Sequence, residues 1–182
     1  MAHEFTTSAV TDSIAVFRQT KKLAERAMEQ APDTALFATL DPESNSIAII
    51  VKHMAGNMKS RFTDFLTTDG EKPDRNRDSE FEAPPATRAE VLAMWERGWG
   101  CVFAALEGLS DADLARRITI RGEPHSVTQA IHRQIGHYSY HVGQIVYLAK
   151  HFAGEKWTAI TVPKNRSAQF NADVSAVRKS QR

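Results

Sequence analysis

Apolar residues recur at three- and four-residue spacing through four long stretches of this 182-residue chain, and strict alternation is confined to one short stretch. No other feature restricts the fold as much, because a 3.6-residue period buries one face only if the segment is helical. The first stretch, about residues 8–30, puts Ile14, Phe17, Leu23 and Ala27 on one face, and Pro32 stops it. The second follows "DPESNS" and is expected to reach about Leu66, with a stripe of Ile47, Ile50, Val51, Met54, Met58, Phe62 and Phe65. The third opens on Thr87 and Glu90, a capping-box spacing, and continues through Val91, Trp95, Trp99, Val102, Phe103 and Leu106. Trp95 and Trp99 read as core rather than as a substrate cage. Gly98 and Gly100 weaken this helix but could admit another backbone at close range. The fourth opens on Ser126 and Gln129, a second capping-box spacing, and runs to about Phe152 before Gly154.

Between the third and fourth stretches, "RRITIRGEP" alternates and turns at Gly122, which predicts a short extended crossover. Beyond Lys156 the chain ends in a charged stretch, but "KWTAITVP" is apolar enough to dock on other helices. The expectation is an all-α, antiparallel four-helix bundle in one domain over residues 1–182, with 155–182 as a tail packed on it.

A net charge of +1 gives no electrostatic footprint for nucleic acid or an anionic membrane. Short basic clusters interleave with acids and read as solvated helix faces. No run of 18 apolar residues occurs, so no membrane span is expected, and "MAHEFTTSAVTDS" lacks the pattern of a signal peptide. Cys101 is the single cysteine, which excludes an internal disulfide and fits a cytoplasmic protein. Its setting, "GWGCVFAAL", reads as a small buried hydrophobe rather than a nucleophile, because it lacks a basic neighbour.

The chemistry is carried by "HYSYHVGQIVYLAKH". His137 and His141 lie four apart, about 40° around a helix, so both imidazoles can reach one ion. They sit in a polar line of Gln134, His137, His141 and Gln144, beside the apolar stripe of Val127, Ile131, Ile135, Tyr138, Val142 and Ile145. A tight metal site needs a third ligand. His132 lies about 140° around from His137, and His151 about 15 Å along the axis from His141. His125 precedes the helix, and His3 belongs to the terminus. His53 remains. It sits in the most apolar part of the second helix, yet heads a polar line of His53, Asn57, Arg61 and Asp64. Two polar rows facing each other inside a bundle would form a metal pocket. On spacing alone, metal ligands and hydrogen-bonded core imidazoles both remain open.

"SIAIIVKHMAGNMKSRFTDFLTTDGEKPDRNRDSEFE" (46–82) and "IHRQIGHYSYHVGQIVYLAKHF" (131–152) resemble a family of unknown function in the DinB/YfiT-like superfamily, and the similarity extends over residues 13–171. The resemblance implies a commonly dimeric four-helix bundle in which three histidines hold a divalent metal. One comes from the second helix and two from the H-x-x-x-H of the last long helix; here these are His53, His137 and His141. It also implies a thiol-dependent transferase or isomerase as one class of activity, with a low-molecular-weight thiol as cosubstrate.

Three neutral imidazoles suit zinc or nickel, with iron a further option, and leave positions for water or substrate. The expected function is therefore a metal-dependent hydrolase or thiol transferase acting on a small molecule, in a homodimer. The alternative is a non-catalytic, metal-stabilised binding or stress-associated module. No convincing general base emerges: Tyr140 is a candidate, and Asp64 lies about 16 Å along the helix from His53. The loop "DGEKPDRNRDSEFEAPP" (69–85) has nine charged residues in 17. It reads either as a solvated connection or as a lid whose Arg75 and Arg77 grip an anionic substrate. The candidate substrate-binding residues are Asn57, Arg61, Arg75, Arg77, Tyr140 and Gln144.

Overall fold

The computed structural model describes residues 5–176. The described chain is mostly helical: α1 (Ala9–Gln30), α2 (Ile47–Phe62), α3 (Arg88–Leu106), α4 (Val127–Ala153) and a short α5 (Ser167–Ser175). A two-stranded antiparallel sheet, β1 (Arg117–Ile120) and β2 (Glu123–Ser126), stands between α3 and α4. α1 lies along α4 and α2 along α3, while α2 also packs on α4 and α1 on α3. One core draws on all four long helices, with Phe17, Met54, Trp95, Trp99, Tyr138 and Ile145 among its fully buried side chains. No helix among the described residues is long and apolar enough to cross a membrane.

Local chemistry fixes the helix ends. The Ser8 hydroxyl caps α1 by accepting from the Thr11 amide, and Thr87 and Ser126 form reciprocal capping boxes with Glu90 and Gln129. α2 stops at Phe62, short of the expected Leu66. Thr63 is extended and Asp64 adopts a left-handed φ of 48°, its carbonyl accepting from the amides of Thr67 and Thr68. Phe65 still enters the core from this turn and packs 5.2 Å from the Phe62 ring, so the apolar stripe outlasts the helix. Gly98 sits where α3 meets α2: a Cβ there would lie 2.9 Å from Ala55 Cα. Gly100 faces open space and serves no such approach.

The expected crossover closes on itself as a hairpin, in which Ile120 pairs with Glu123 around Arg121 and Gly122, both at positive φ. Asp69 clamps that turn, its carboxylate accepting from the amides of Arg121 and Gly122 at 2.8 Å each. The Gly70 amide donates to the Thr119 carbonyl at 2.8 Å. The α2–α3 loop is thereby fastened to the hairpin. Beyond α4, docking of the tail centres on Trp157, Thr158 and Ile160: Ile160 is buried, and its carbonyl accepts from Arg26 at 2.6 Å. α5 buries none of its residues, and residues 177–182 of the expected 155–182 tail lie outside the described residues.

Candidate metal centre

His53 reaches inward from α2, where most of the 16 residues are buried, and is itself 4% exposed. His137 and His141 face it from successive turns of α4. One ligand atom from each of the three lies within 4.8 Å of the others. The Nε2 of His137 is 3.1 Å from Nε2 of His141 and 3.4 Å from Nε2 of His53. Ligands at a tetrahedral zinc–nitrogen distance stand about 3.3 Å apart.

The opposite ring nitrogens decide what these three atoms can do. His53 Nδ1 meets a carboxylate oxygen of Glu80 at 2.9 Å, His137 Nδ1 meets Gln134 Oε1 at 3.3 Å, and His141 Nδ1 meets Gln144 Oε1 at 2.8 Å. Gln144 is held in this orientation by donating its Nε2 to the Tyr140 hydroxyl at 3.2 Å. A nitrogen facing an acceptor oxygen carries the proton, so each imidazole is protonated at Nδ1 and turns a lone pair toward the common centre. Three lone pairs at this separation repel one another and together suit a cation. Burial, followed by the neighbouring imidazoles and by Arg133 and Arg61, pushes His137 down to about 3, and burial also lowers His141 despite its bond to Gln144. These two rings of α4 are thus kept neutral, as ligands must be. The three imidazoles together could hold a metal ion.

Glu80 is the residue that sequence reasoning missed. A 3-10 turn over Asp78–Phe81 delivers it to His53, and Arg75 donates to its two oxygens at 2.8 and 2.9 Å. Burial raises the Glu80 carboxyl, but the bonds from His53 and Arg75 prevail and hold it below the usual range. Gly56 makes room for it, since a Cβ there would lie 2.3 Å from Glu80 Oε1. Phe81 lays its ring 4.7 Å from that of His53, and Lys52 ties the turn down through the carbonyls of Ser79, Glu82 and Ala83. A loop has no periodicity to mark such a residue; only the apolar Phe81 amid charge hinted at an inward turn.

The three histidines line a cavity of about 500 Å³, and all six expected substrate-binding residues line it too. Their engagements differ from the expectation. Arg75 was expected to grip an anion, but its guanidinium is committed to Glu80, with Glu71 3.4 Å away. Arg61 is buried, paired with Glu71 at 2.9 Å and bonded to the Gly70 carbonyl. Asn57 accepts from the buried Tyr138 hydroxyl at 3.0 Å. Arg77 is half-exposed over the Phe81 ring, and Tyr140 is exposed. The loop that carries Arg75 and Arg77 is thus tied to the hairpin through Asp69 and Gly70 and to α2 through Glu80.

His132 and His151 are exposed and outside the cluster, His125 bonds the Glu123 carbonyl, and His3 lies outside the described residues. Asp64 lines other clefts. Cys101, expected to be buried, is half-buried at the edge of one of them, with no basic residue among its lining neighbours.

A family model described as "Protein of unknown function (DUF1572)" matches residues 4–166. No curated protein and no solved structure matches the chain.

Proposed function

The chain belongs to this DUF1572 family, whose function is unknown, and we propose that it is a metal-dependent enzyme, a hydrolase or thiol-dependent transferase, with His53, His137 and His141 as metal ligands. The observation that carries this reading is the convergence of three Nε2 atoms, each ring fixed from behind by an oxygen acceptor. Carboxylate and amide partners behind ligating imidazoles are the usual means of setting tautomer and aim. Zinc or nickel suits the all-imidazole set best, and iron also fits. A divalent ion held there would supply Lewis acidity, acidifying a thiol or water and polarising a substrate oxygen.

The protein's own part is orientation and shelter. Glu80, Gln134 and Gln144 aim the rings, and Phe81 covers His53. Tyr140, bonded to Gln144 at the cavity, serves in this reading as a contact for a bound small molecule. The imidazole group has three members among the described residues, which favours a coordination shell open to substrate over a closed structural one. In this reading the four long helices form an antiparallel bundle of the DinB/YfiT-like type, in a single domain. The working unit is a homodimer in a reducing cytoplasm, and a low-molecular-weight thiol is the leading cosubstrate.

The test is metal content of untagged protein, with single alanine substitutions. His53→Ala, His137→Ala and His141→Ala should each lower zinc affinity sharply, while His132→Ala and His151→Ala leave it nearly unchanged. Parent-like zinc binding by His53→Ala would refute the trio. For the catalytic role, the chelated protein should stay helical, and the cobalt-substituted protein should change its visible spectrum on adding thiol or azide. Loss of helix without a spectral response would assign the ion a structural role instead.

A further inference from the structure

Although the chain as a whole is nearly neutral, the cavity over the histidines is not. Arg61, Arg75, Arg77, Arg121 and Arg133 line it, and among the described residues no carboxylate does. Two acids behind the wall answer three of these arginines: Glu71 contacts Arg61, Arg75 and Arg121, and Glu80 contacts Arg75. The other two are differently placed. Arg133 is exposed and has no hydrogen-bond or ion-pair partner among the described residues. Among the described residues the one acid near the Arg77 guanidinium is Asp78, at 3.9 Å between two exposed side chains, and the guanidinium lies 4.9 Å over the Phe81 ring. Counting Asp78 with Glu71 and Glu80 still leaves a surplus of two positive charges, before any divalent ion adds its own.

We propose that this cavity binds a small organic anion, a carboxylate or phosphate ester, whose charged group is gripped by Arg133 and Arg77 while its reactive part faces the three imidazoles. Guanidinium is a planar fork matched to the paired oxygens of such groups. A recessed site lined by one sign of charge also concentrates the field that draws an anion in. Arg133 stands one helical turn before His137, about 6 Å along the axis, and lines the same cavity. Arg77 comes from the α2–α3 loop, stacked on Phe81, which itself covers His53. The inference rests on the cavity being the reaction site proposed above, but the grip on the anion does not depend on the ion.

Inorganic phosphate is the probe, titrated calorimetrically into the full chain in chelated and zinc-loaded forms, with zinc affinity measured separately. The chelated parent should bind phosphate, more weakly at high salt. The double variant Arg77→Gln/Arg133→Gln should lose at least tenfold in phosphate affinity while keeping zinc affinity within threefold. Arg133→Lys, which keeps the charge but not the fork, should fall between them. Circular dichroism checks that each variant is folded. Phosphate binding that the double variant leaves unchanged, or that occurs only in the zinc-loaded form irrespective of Arg77 and Arg133, overturns the inference while leaving the metal reading intact. Arginine-dependent phosphate binding in a protein that takes up no zinc would support the inference and remove the metal reading.

Discussion

Replacing Glu80 by alanine tests whether the wiring behind His53 is needed. Its carboxylate and the Arg75 guanidinium are 7% and 5% exposed, and the same carboxylate accepts the hydrogen bond from His53 Nδ1–H. Removing one member of a buried charged pair costs about 3–5 kcal/mol, because the survivor stays buried without its partner. Glu71, 3.4 Å from Arg75, offers partial relief, so the lower end, about 3 kcal/mol, is expected for the metal-free protein. His53 meanwhile loses the acceptor that sets its tautomer and aim, and such losses weaken metal binding by about 10- to 100-fold. Glu80→Gln retains an acceptor for His53 but not the charge against Arg75. It should therefore recover more of the zinc affinity than of the stability. Urea unfolding of chelated protein reads the first quantity, and competitive zinc titration against a chelating dye reads the second. A Glu80→Ala protein within about 0.5 kcal/mol of the parent, and within twofold in zinc affinity, would mean that the Glu80 contacts carry none of this weight.

Gly98→Ala should destabilise by about 1–3 kcal/mol, since its Cβ would press on the Ala55 backbone, while Gly100→Ala, facing open space, should stabilise by up to about 1 kcal/mol; urea midpoints of the two variants should move in opposite directions. The metal-free protein should lose stability as pH falls from 7 to 5. The folded state holds His137 and His141 below their ordinary value, so the unfolded chain binds more protons throughout the window from about 6.5 down to about 3. Discounted for partial exposure, His137 contributes about 1 kcal/mol of this loss by pH 5. Below the ordinary glutamate range, loss of the Glu80 carboxylate adds to it, since that group is held low. Unfolding curves of chelated protein at pH 7.5 and 5 measure the effect, and a midpoint that is flat or rises on acidification would contradict it.

The helices and the histidine trio could be read from the chain because their signals are local or periodic. Capping boxes at Thr87 and Ser126 mark two starts within three residues, and the spacing of His137 and His141 fixes their common side. The end of α2 was hidden by Phe65, which satisfies the helical stripe from a turn. Glu80 was hidden because a loop residue has no face until the loop is placed. Arg133 could have been found, since it heads the same four-residue row as His137 and His141. Net charge hid it instead, because a chain-wide sum says nothing about where the arginines gather.

The fastening of the α2–α3 loop also sets an order of assembly. Two halves of the site are local in the chain: His137 with His141 on one helix, and Arg75 with Glu80 five residues on. Joining them requires contacts across 27 residues, from His53 to Glu80, and across 84, from His53 to His137. Contacts of long sequence separation form late, because loop-closure entropy must be met before they repay it. A chain emerging from its N-terminus therefore completes the Arg75–Glu80–His53 arm while α4 is still missing. The three imidazoles can meet only after residue 141 has emerged and α4 has docked against α2.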